Sequence, residues 1–477
     1  MSATPHPSDN VPLVIDGARV TGVSRLPVIN PRNGSEIWTY SGASVQDSTR
    51  AVEAAHAAFP AWSSTHPSAR SVILFKAAEL FLARRAELIE YMKLETAAED
   101  AFAEFNIQAT VGQLKDIARR IPAIDGYSPH MDDGNRSALV MKIPYGVILG
   151  IAPWNAPYIL GTRAVAAALA AGNTVVLKGS ELSPRCFYSI MNIFIDAGLP
   201  KGCLNLIYAP AEAASEVTEA VIQHPAVGKV NFTGSTAVGR IIASISGKHL
   251  KPVLLELGGK ATAIVFEDAD LQKAAKACLL GAFLHSGQVC MATERMVVHA
   301  SVAADFAKLL KDNLASMYSS ADSHPVLISP RAAEKVRGLI SDALGKGANI
   351  LCEARPTGDD MLAPRILSNV REDMNIFYTE SFGPVATFHT FNTEDEALNI
   401  ANDTEYGLAG AVFTQNLNRG LRVAKKYLTG AVHINSMSIH DEAVLSHGGM
   451  KNSGFGRFNA DQGLNEFLRS QVITWEN

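Results

Sequence analysis

A cysteine and a glutamate, each beside glycines, are the residues best suited to chemistry in this sequence. Cys290 ends the stretch Phe-Leu-His-Ser-Gly-Gln-Val-Cys, and Glu256 lies 34 positions earlier in Leu-Glu-Leu-Gly-Gly-Lys. Glycine lets another backbone or a ligand approach closely, and a thiol with a carboxylate is suited to covalent catalysis. The pair predicts that the thiol attacks a substrate while the carboxylate moves protons.

The composition is that of an ordinary globular protein with more than one domain. The chain of 477 residues is too long to fold around a single hydrophobic core. Its 47% hydrophobic and 19% charged residues are ordinary for a globular protein. A net charge of −5 gives no reason to expect nucleic acid or a membrane surface as partner. The five cysteines are odd in number and form no CxxC motif, which argues against both a disulfide scaffold and a zinc site. A reducing cytoplasm is therefore the expected compartment.

Hydrophobic periodicity divides the chain into regions of different structure. Residues 45–120 have apolar side chains at helical spacing and predict helices. In 145–257 short apolar strands alternate with helices, which calls for a parallel sheet, and a second such region follows over 261–455. The segments 138–143 and 471–475 are strand candidates. Since the latter has nothing nearby in sequence to pair with, both are predicted to add to a neighbouring subunit's sheet.

Two motifs follow predicted strands, where open α/β sheets bind their ligands. The segment 232–239, Phe-Thr-Gly-Ser-Thr-Ala-Val-Gly, opens a helix whose positive N-terminus suits a phosphate, although an ordinary helix cap is the alternative. It is not GxGxxG, so the ordinary dinucleotide fingerprint is absent. Lys178 and Glu181 follow another strand and are suited to bind ribose hydroxyls, or else form a solvated charge pair.

Two more motifs combine polar or aromatic groups with rigid turns. Asn155 lies between two prolines, where its amide is a rigid donor for an oxyanion unless it forms an Asx-type turn. A helix is predicted to follow over 163–171. Glu380 and Phe382 belong to Glu-Ser-Phe-Gly-Pro, which is suited to hold a ribose and a flat ring, or is an ordinary turn.

Together these motifs resemble those of the NAD(P)-dependent aldehyde dehydrogenase superfamily. The resemblance runs from about residue 30 to the end of the chain, in the family's order and near its spacing. It implies an α/β fold with a Rossmann-like parallel-sheet domain, an α/β catalytic domain and a β-strand oligomerisation arm. The implied division is 1–124 and 145–257 for NAD binding, 258–455 for catalysis, and 125–144 with 456–477 for the arm.

The resemblance also implies roles for individual residues. Cys290 is implied as nucleophile, Glu256 as general base, and Asn155 as oxyanion donor together with the Cys290 backbone N–H. The residues implied in cofactor binding are Ile151, Trp154, Lys178, Glu181, Gly234, Ser235, Gly239, Glu380 and Phe382. NAD is the expected cofactor, because the Glu181 carboxylate repels the 2′-phosphate of NADP. Gly179 stands where the family usually has proline, so a looser loop and a mild preference are expected, with NADP as the alternative.

The implied reaction oxidises an aldehyde through covalent intermediates on Cys290. The thiolate adds to the carbonyl, hydride passes from the thiohemiacetal to nicotinamide, and Glu256 activates the water that hydrolyses the thioester. The mechanism needs no metal. Acylating relatives that use coenzyme A typically lack this base, so Glu256 favours a free carboxylic acid as product.

The substrate segments resemble the branch that acts on vanillin, salicylaldehyde and benzaldehyde. The residues implied to line the aldehyde tunnel are Ala156, Arg163, Met291, Ile439 and His447. The small Ala156 leaves width for a planar ring, and Arg163 or His447 is placed to meet a ring hydroxyl. Alternatively, Arg163 forms a salt bridge elsewhere and His447 is structural.

Other functions remain open on the sequence alone. A broad, aliphatic or semialdehyde dehydrogenase is the nearest alternative, and a non-catalytic binding protein on this fold is a remote one. The expected partners are a small aldehyde and the other subunits of a homodimer or homotetramer, with neither nucleic acid nor membrane.

Overall fold

The computed structural model describes residues 9–319, 324–354 and 362–477. The strands are β1 (Asn10–Val11), β2 (Leu13–Ile15), β3 (Ala18–Val20), β4 (Ser24–Ile29), β5 (Glu36–Gly42), β6 (Arg136–Pro144), β7 (Val147–Ile151), β8 (Thr174–Lys178), β9 (Leu204–Ile207), β10 (Val227–Thr233), β11 (Val253–Glu256), β12 (Ala261–Val265), β13 (Thr293–His299), β14 (Asn349–Glu353), β15 (Arg365–Ser368), β16 (Val385–Phe391), β17 (Ala409–Phe413), β18 (Ala431–Ile434), β19 (Gly454–Phe455) and β20 (Leu468–Glu476). The helices are α1 (Val45–Ser63), α2 (Pro67–Ala83), α3 (Arg85–Thr96), α4 (Asp100–Arg120), α5 (Pro157–Ala170), α6 (Pro184–Asp196), α7 (Ala214–Gln223), α8 (Thr236–Lys248), α9 (Leu271–Phe283), α10 (Ala303–Met317), α11 (Pro330–Gly345), α12 (Asn375–Tyr378), α13 (Glu394–Asn402), α14 (Leu417–Lys426) and α15 (Ala460–Asn465).

The chain divides into two compact units. The first comprises residues 1–255, 442–447 and 456–477, and the second comprises 256–441 and 448–455. The boundary falls inside β11, so Glu256 is the first residue of the second unit. Which part binds NAD and which part carries out catalysis stays a prediction from the resemblance.

The first unit contains the parallel sheet expected between 145 and 257. Seven of its strands lie in the order β11-β10-β7-β8-β9-β2-β3, and the neighbours from β10 through β9 pair in parallel. All five residues of β7 are buried, as expected of a central strand covered on both faces. The α/β fold class is thereby confirmed.

The second unit has its own seven-stranded sheet, in the order β14-β15-β16-β13-β12-β17-β18. Only the β14–β15 pair is antiparallel among its described neighbours. The adjacent strands β12 and β13 run parallel, with Ala261 opposite Thr293. Because Glu256 precedes β12 and Cys290 precedes β13, both residues lie at the same edge of this sheet.

The helices over 45–120 are confirmed as α1 to α4. The helix predicted over 163–171 is longer, because α5 already begins at Pro157. Proline has a fixed φ and lacks an N–H, which suits the first position of a helix. Arg163 therefore lies within the helix. Among the described residues, no helix has the length and apolarity to cross a membrane.

The segment 471–475 has no partner nearby in sequence, as expected, but it does pair within its own chain. It lies in β20, which pairs antiparallel with β6 of the same chain, from Leu468 opposite Pro144 to Glu476 opposite Arg136. The two segments are distant in sequence, so no local signal joins them. The two strands form a sheet of their own, here called the ribbon, and every residue of β20 after Leu468 is exposed.

Candidate functional site

Cys290 and Glu256 are in direct contact within the second unit. The Cys290 thiol donates a hydrogen bond to Glu256 Oε1 at 3.0 Å. Glu256 is buried, whereas Cys290 is partly exposed and the other four cysteines are buried. Burial raises the pKa of Cys203 to about 12 and of Cys352 to about 11. Cys290 is therefore the thiol that is both accessible and beside a base, the arrangement required of a nucleophile.

The approach to Cys290 is a run of left-handed backbone. His285 has φ 49°, Ser286 φ 59° and Gly287 φ 75°. Non-glycine residues rarely adopt this conformation, and its cost of order 1–3 kcal/mol each is usually found at functional sites. A Cβ on Gly287 would lie 2.3 Å from the carbonyl oxygen of Gly383, so only glycine fits. This turn connects the end of α9 to the segment that carries Cys290.

Gln288 holds that turn in place. Its side chain is fully buried, and Nε2 donates to the carbonyl oxygens of His285 and Val326, both at 3.1 Å. Its Oε1 accepts from the Ile328 backbone N–H at 2.9 Å. Sequence reasoning missed this residue, although it lies in the Gln-Val-Cys motif. The available signal was an amide side chain two residues before the nucleophile.

Two glycines bring the base segment against the other segments of the second unit. A Cβ on Gly259 would lie 2.3 Å from the Cys290 carbonyl oxygen, and one on Gly258 would lie 2.6 Å from Glu380 Oε2. The Gly259 N–H donates to Glu380 Oε1 at 2.8 Å. The structure therefore places Cys290, Glu256 and Glu380 on segments in mutual contact.

Glu380 is a carboxylate in an unfavourable setting for its charge. Burial, and then the neighbouring charge of Glu294, raises the pKa of Glu380 to about 7, opposed by the Gly259 N–H and by Lys335 and Lys260. Phe382, two residues on, is partly exposed and has φ 52°. The backbone holding both candidate cofactor contacts is thus a strained turn.

The remaining cofactor candidates lie in the first unit at the carboxyl ends of adjacent strands. Ile151 ends β7 and Trp154 follows it, Lys178 ends β8, and Gly234 and Ser235 follow β10. Since β10, β7 and β8 are parallel neighbours, these ends meet at one edge of the sheet. Such an edge is the usual ligand site of an open α/β sheet.

The groups at this edge fit a nicotinamide dinucleotide. The Ser235 hydroxyl caps α8 by accepting from the Val238 N–H at 3.4 Å, which leaves the positive helix end available to a pyrophosphate. Gly234 leaves no room for a side chain at that end, because a Cβ there would lie 2.5 Å from the Phe232 ring. Gly239 is a buried residue of α8.

Lys178 and Glu181, the residues predicted to bind a ribose, carry a hydrogen-bond donor and an acceptor. Burial lowers the pKa of Lys178, and the charge of Glu181 opposes that shift. Gly179 between them is tightly packed, because a Cβ would lie 2.8 Å from the Tyr208 ring and 2.9 Å from the Phe187 ring. Its backbone N–H also donates to Ile207 O at 3.0 Å. The absence of proline therefore does not leave open space in this loop.

The substrate-pocket candidates fall into two groups. In the first unit the Arg163 guanidinium lies 5.3 Å from the Phe458 ring centroid, and His447 exchanges backbone hydrogen bonds with Phe458. In the second unit the Ser438 hydroxyl donates to the Met291 carbonyl at 2.7 Å, which brings the buried Ile439 close to the nucleophile segment.

Two candidates of the first unit lie directly before the beginning of α5. Asn155 is 4% exposed and Ala156 is partly buried, just ahead of Pro157. Over the part of the chain that the structure describes, no group of three or more histidine, cysteine, aspartate or glutamate side chains is placed to hold a metal ion.

Comparison with known proteins decides the family. The model of the aldehyde dehydrogenase family matches residues 19–473. The chain belongs to the aldehyde dehydrogenase family. A vanillin dehydrogenase of Pseudomonas fluorescens is 41% identical to this aldehyde dehydrogenase over 454 residues, 94% of each chain.

Solved structures agree with this family. The crystal structure of a salicylaldehyde dehydrogenase from Pseudomonas putida G7, complexed with salicylaldehyde, has a TM-score of 0.95 and 36% identity over 98% of each chain. A betaine aldehyde dehydrogenase from Staphylococcus aureus in complex with NAD⁺ has a TM-score of 0.93 and 32% identity, over 97% of this chain and 94% of that one. The aldehyde dehydrogenase described here is therefore an oxidoreductase that acts on aldehydes with a nicotinamide cofactor.

Proposed function

We propose that this aldehyde dehydrogenase oxidises aromatic aldehydes to carboxylic acids, with Cys290 as nucleophile and Glu256 as general base. The observation that carries the assignment is the 3.0 Å hydrogen bond from the Cys290 thiol to Glu256. A thiol in contact with a buried carboxylate has an acceptor for its proton at the moment of attack.

The chain's own residues account for the covalent steps. Glu256 takes the thiol proton as Cys290 Sγ bonds to the carbonyl carbon, which forms a thiohemiacetal. When bound, the nicotinamide supplies the acceptor for the hydride that leaves this carbon. Glu256 releases the thiol proton to solvent and then removes a proton from the water that attacks the resulting thioester. The C–S bond breaks, the acid leaves, and the Cys290 thiolate is released for the next turnover. Asn155 is proposed as oxyanion donor by the resemblance, and a donor of this kind contributes about 3 kcal/mol to lowering the barrier.

NAD is the proposed cofactor in preference to NADP. Glu181 follows β8 at the edge where the pyrophosphate site is proposed, and a carboxylate there accepts hydrogen bonds from ribose hydroxyls. A 2′-phosphate at the same place would bring like charges together. The tight packing of Gly179 keeps this loop in place, which favours a clear preference.

An aromatic substrate is supported by both the relatives and the pocket candidates. The similar proteins named above act on vanillin or bind salicylaldehyde, and both compounds are hydroxylated benzaldehydes. Ala156 has a small side chain, and Arg163 is a buried donor stacked on Phe458. We propose that Arg163 lies toward the ring hydroxyl of the substrate.

A panel of aldehydes with NAD and NADP tests the proposal. We expect kcat/KM for salicylaldehyde, vanillin and benzaldehyde to exceed that for hexanal, acetaldehyde and succinic semialdehyde by about tenfold or more, since one well-buried ring contributes that much selectivity. Arg163→Leu is expected to lower kcat/KM for salicylaldehyde relative to benzaldehyde, which lacks the hydroxyl and is the internal control. A best rate with hexanal or the semialdehyde would overturn the aromatic assignment, and a higher kcat/KM with NADP would overturn the cofactor preference.

We also infer that the ribbon of β6 and β20 is covered by a second copy of the chain, as a homodimer or homotetramer. Val472, Ile473 and Trp475 are 64%, 43% and 48% exposed. An isolated two-stranded sheet is marginally stable in water, and an exposed apolar edge invites pairing. We also propose a cytoplasmic location, since a reducing compartment keeps cysteines as free thiols.

The mass of the protein in solution tests whether a second copy of the chain covers the ribbon. We expect light scattering to give a dimer or tetramer for the wild type and a smaller assembly for Val472→Lys/Trp475→Lys, because charges on a covered apolar face disfavour association. Val72→Lys is the matched control, since Val72 on α2 is 63% exposed. A monomeric wild type, or a Val472→Lys/Trp475→Lys variant with the wild-type mass, would exclude the ribbon as a contact between subunits.

A further inference from the structure

A buried ion pair in the second unit connects the segments of the candidate site. Lys260 Nζ lies 2.5 Å from Glu294 Oε2, and the side chains are 1% and 5% exposed. Lys260 comes four residues after Glu256, and Glu294 four residues after Cys290. The pair therefore joins the strand that follows the base to the strand that follows the nucleophile.

The same two side chains hold a third segment on both sides of Glu380. Lys260 Nζ donates to the Thr379 carbonyl oxygen at 2.8 Å. Glu294 accepts from the backbone N–H groups of Ser381, at 2.9 Å, and Phe382, at 3.3 Å. The residues before and after Glu380 are thus each bound to one member of the pair.

The geometry of this segment needs such support. Phe382 is held at φ 52°, which is unfavourable for an aromatic residue. Burial lowers the pKa of Lys260, and the charge of Glu294 opposes that shift. A buried ion pair adds little net stability over apolar residues of the same size. Its principal contribution here is therefore to fix the position of the 379–382 backbone through hydrogen bonds.

We propose that Lys260 and Glu294 are positioning residues that set the placement of Glu380 and Phe382 and thereby the affinity for the nicotinamide cofactor. The inference rests on the proposed function of Glu380 and Phe382 in cofactor binding. Neither member of the pair touches the reacting atoms in this assignment; both act through the backbone of 379–382.

The test compares cofactor affinity in Lys260→Met and Lys260→Met/Glu294→Met. The single variant leaves the buried Glu294 carboxylate without its cationic partner, whereas the double variant removes both charges and the side-chain hydrogen bonds to 379–382. We expect the dissociation constant of NADH, from fluorescence titration, and the KM for NAD to rise about tenfold or more in both, since small misplacements have effects of this size. The Tm is expected to fall in the single variant and to recover in the double.

The double variant separates positioning from stability. If the pair were only structural, the NADH dissociation constant would return to the wild-type value together with the Tm, and KM per active site, counted by Cys290 alkylation, would not change. Lys229→Met is the matched control, because Lys229 is 4% exposed and lies 2.6 Å from Glu466 in the first unit. It is expected to lower the Tm and to leave NADH affinity unchanged.

The outcomes for this inference and for the proposed function are distinct. Wild-type NADH affinity in both Lys260 variants overturns the positioning role while the dehydrogenase function stands. A wild type that binds NADH but oxidises no aldehyde of the panel overturns the proposed function, and the pair is still judged by the binding data. A wild type that does not bind NADH overturns both.

Discussion

Cys290→Ala is expected to lower kcat for aldehyde oxidation by about 10⁴-fold or more, because the reaction loses the atom on which both covalent intermediates form. The substitution removes one partly exposed sulfur atom, so the fold and the binding of NADH are expected to persist. Steady-state NADH formation, together with a fluorescence titration of NADH binding, measures the two effects separately.

Alkylation provides the control for this assignment. Iodoacetamide is expected to modify Cys290 first and to abolish activity in step with one modified thiol, because the other four thiols are buried. Cys352→Ala, at a buried thiol of the second unit whose pKa burial raises to about 11, is expected to retain wild-type kcat. Modification of Cys352 ahead of Cys290, or substantial turnover by Cys290→Ala, would exclude Cys290 as the nucleophile.

Much of the fold was accessible from sequence because its elements have local signals. The buried apolar run of β7 and the helical spacing over 45–120 predict those elements directly. The start of α5 at Pro157 was missed, since proline at a first helical position looks the same as proline in a turn. The pairing of β6 with β20 was missed, because it joins segments that no local pattern connects.

The candidate site was predictable in residue types but not in its internal contacts. The order of the motifs indicated Cys290 and Glu256, and the parallel pairing of β12 with β13 explains why they meet. The left-handed turn before Cys290 was not predictable, since positive φ is uncommon for any non-glycine residue, and two such residues, His285 and Ser286, follow each other here. The Lys260–Glu294 pair was also missed, because its partners become neighbours only through the sheet.

Glu256→Gln is expected to separate the two proton transfers assigned to this residue. Glutamine has nearly the same shape but accepts a proton far less readily, so hydrolysis of the thioester is expected to slow by about 10²-fold or more. If deacylation becomes limiting, rapid mixing will show a burst of about one NADH per active site, followed by a slow steady state. Denatured enzyme quenched after the burst is expected to carry the acyl group on Cys290 by mass spectrometry.

The direct contact between Cys290 and Glu256 makes the amplitude of this burst informative. Because the thiol donates to Glu256 at 3.0 Å, Glu256 is also placed to take the proton during attack. Loss of the burst in Glu256→Gln would mean that Glu256 acts chiefly in activating Cys290. A full burst would mean that Glu256 acts chiefly in hydrolysis of the thioester. Hydroxylamine, which cleaves thioesters without a general base, is expected to restore turnover and yield the hydroxamate only in the second case. Unchanged steady-state turnover would exclude both roles, since no carboxylate at 256 would then be needed in either step.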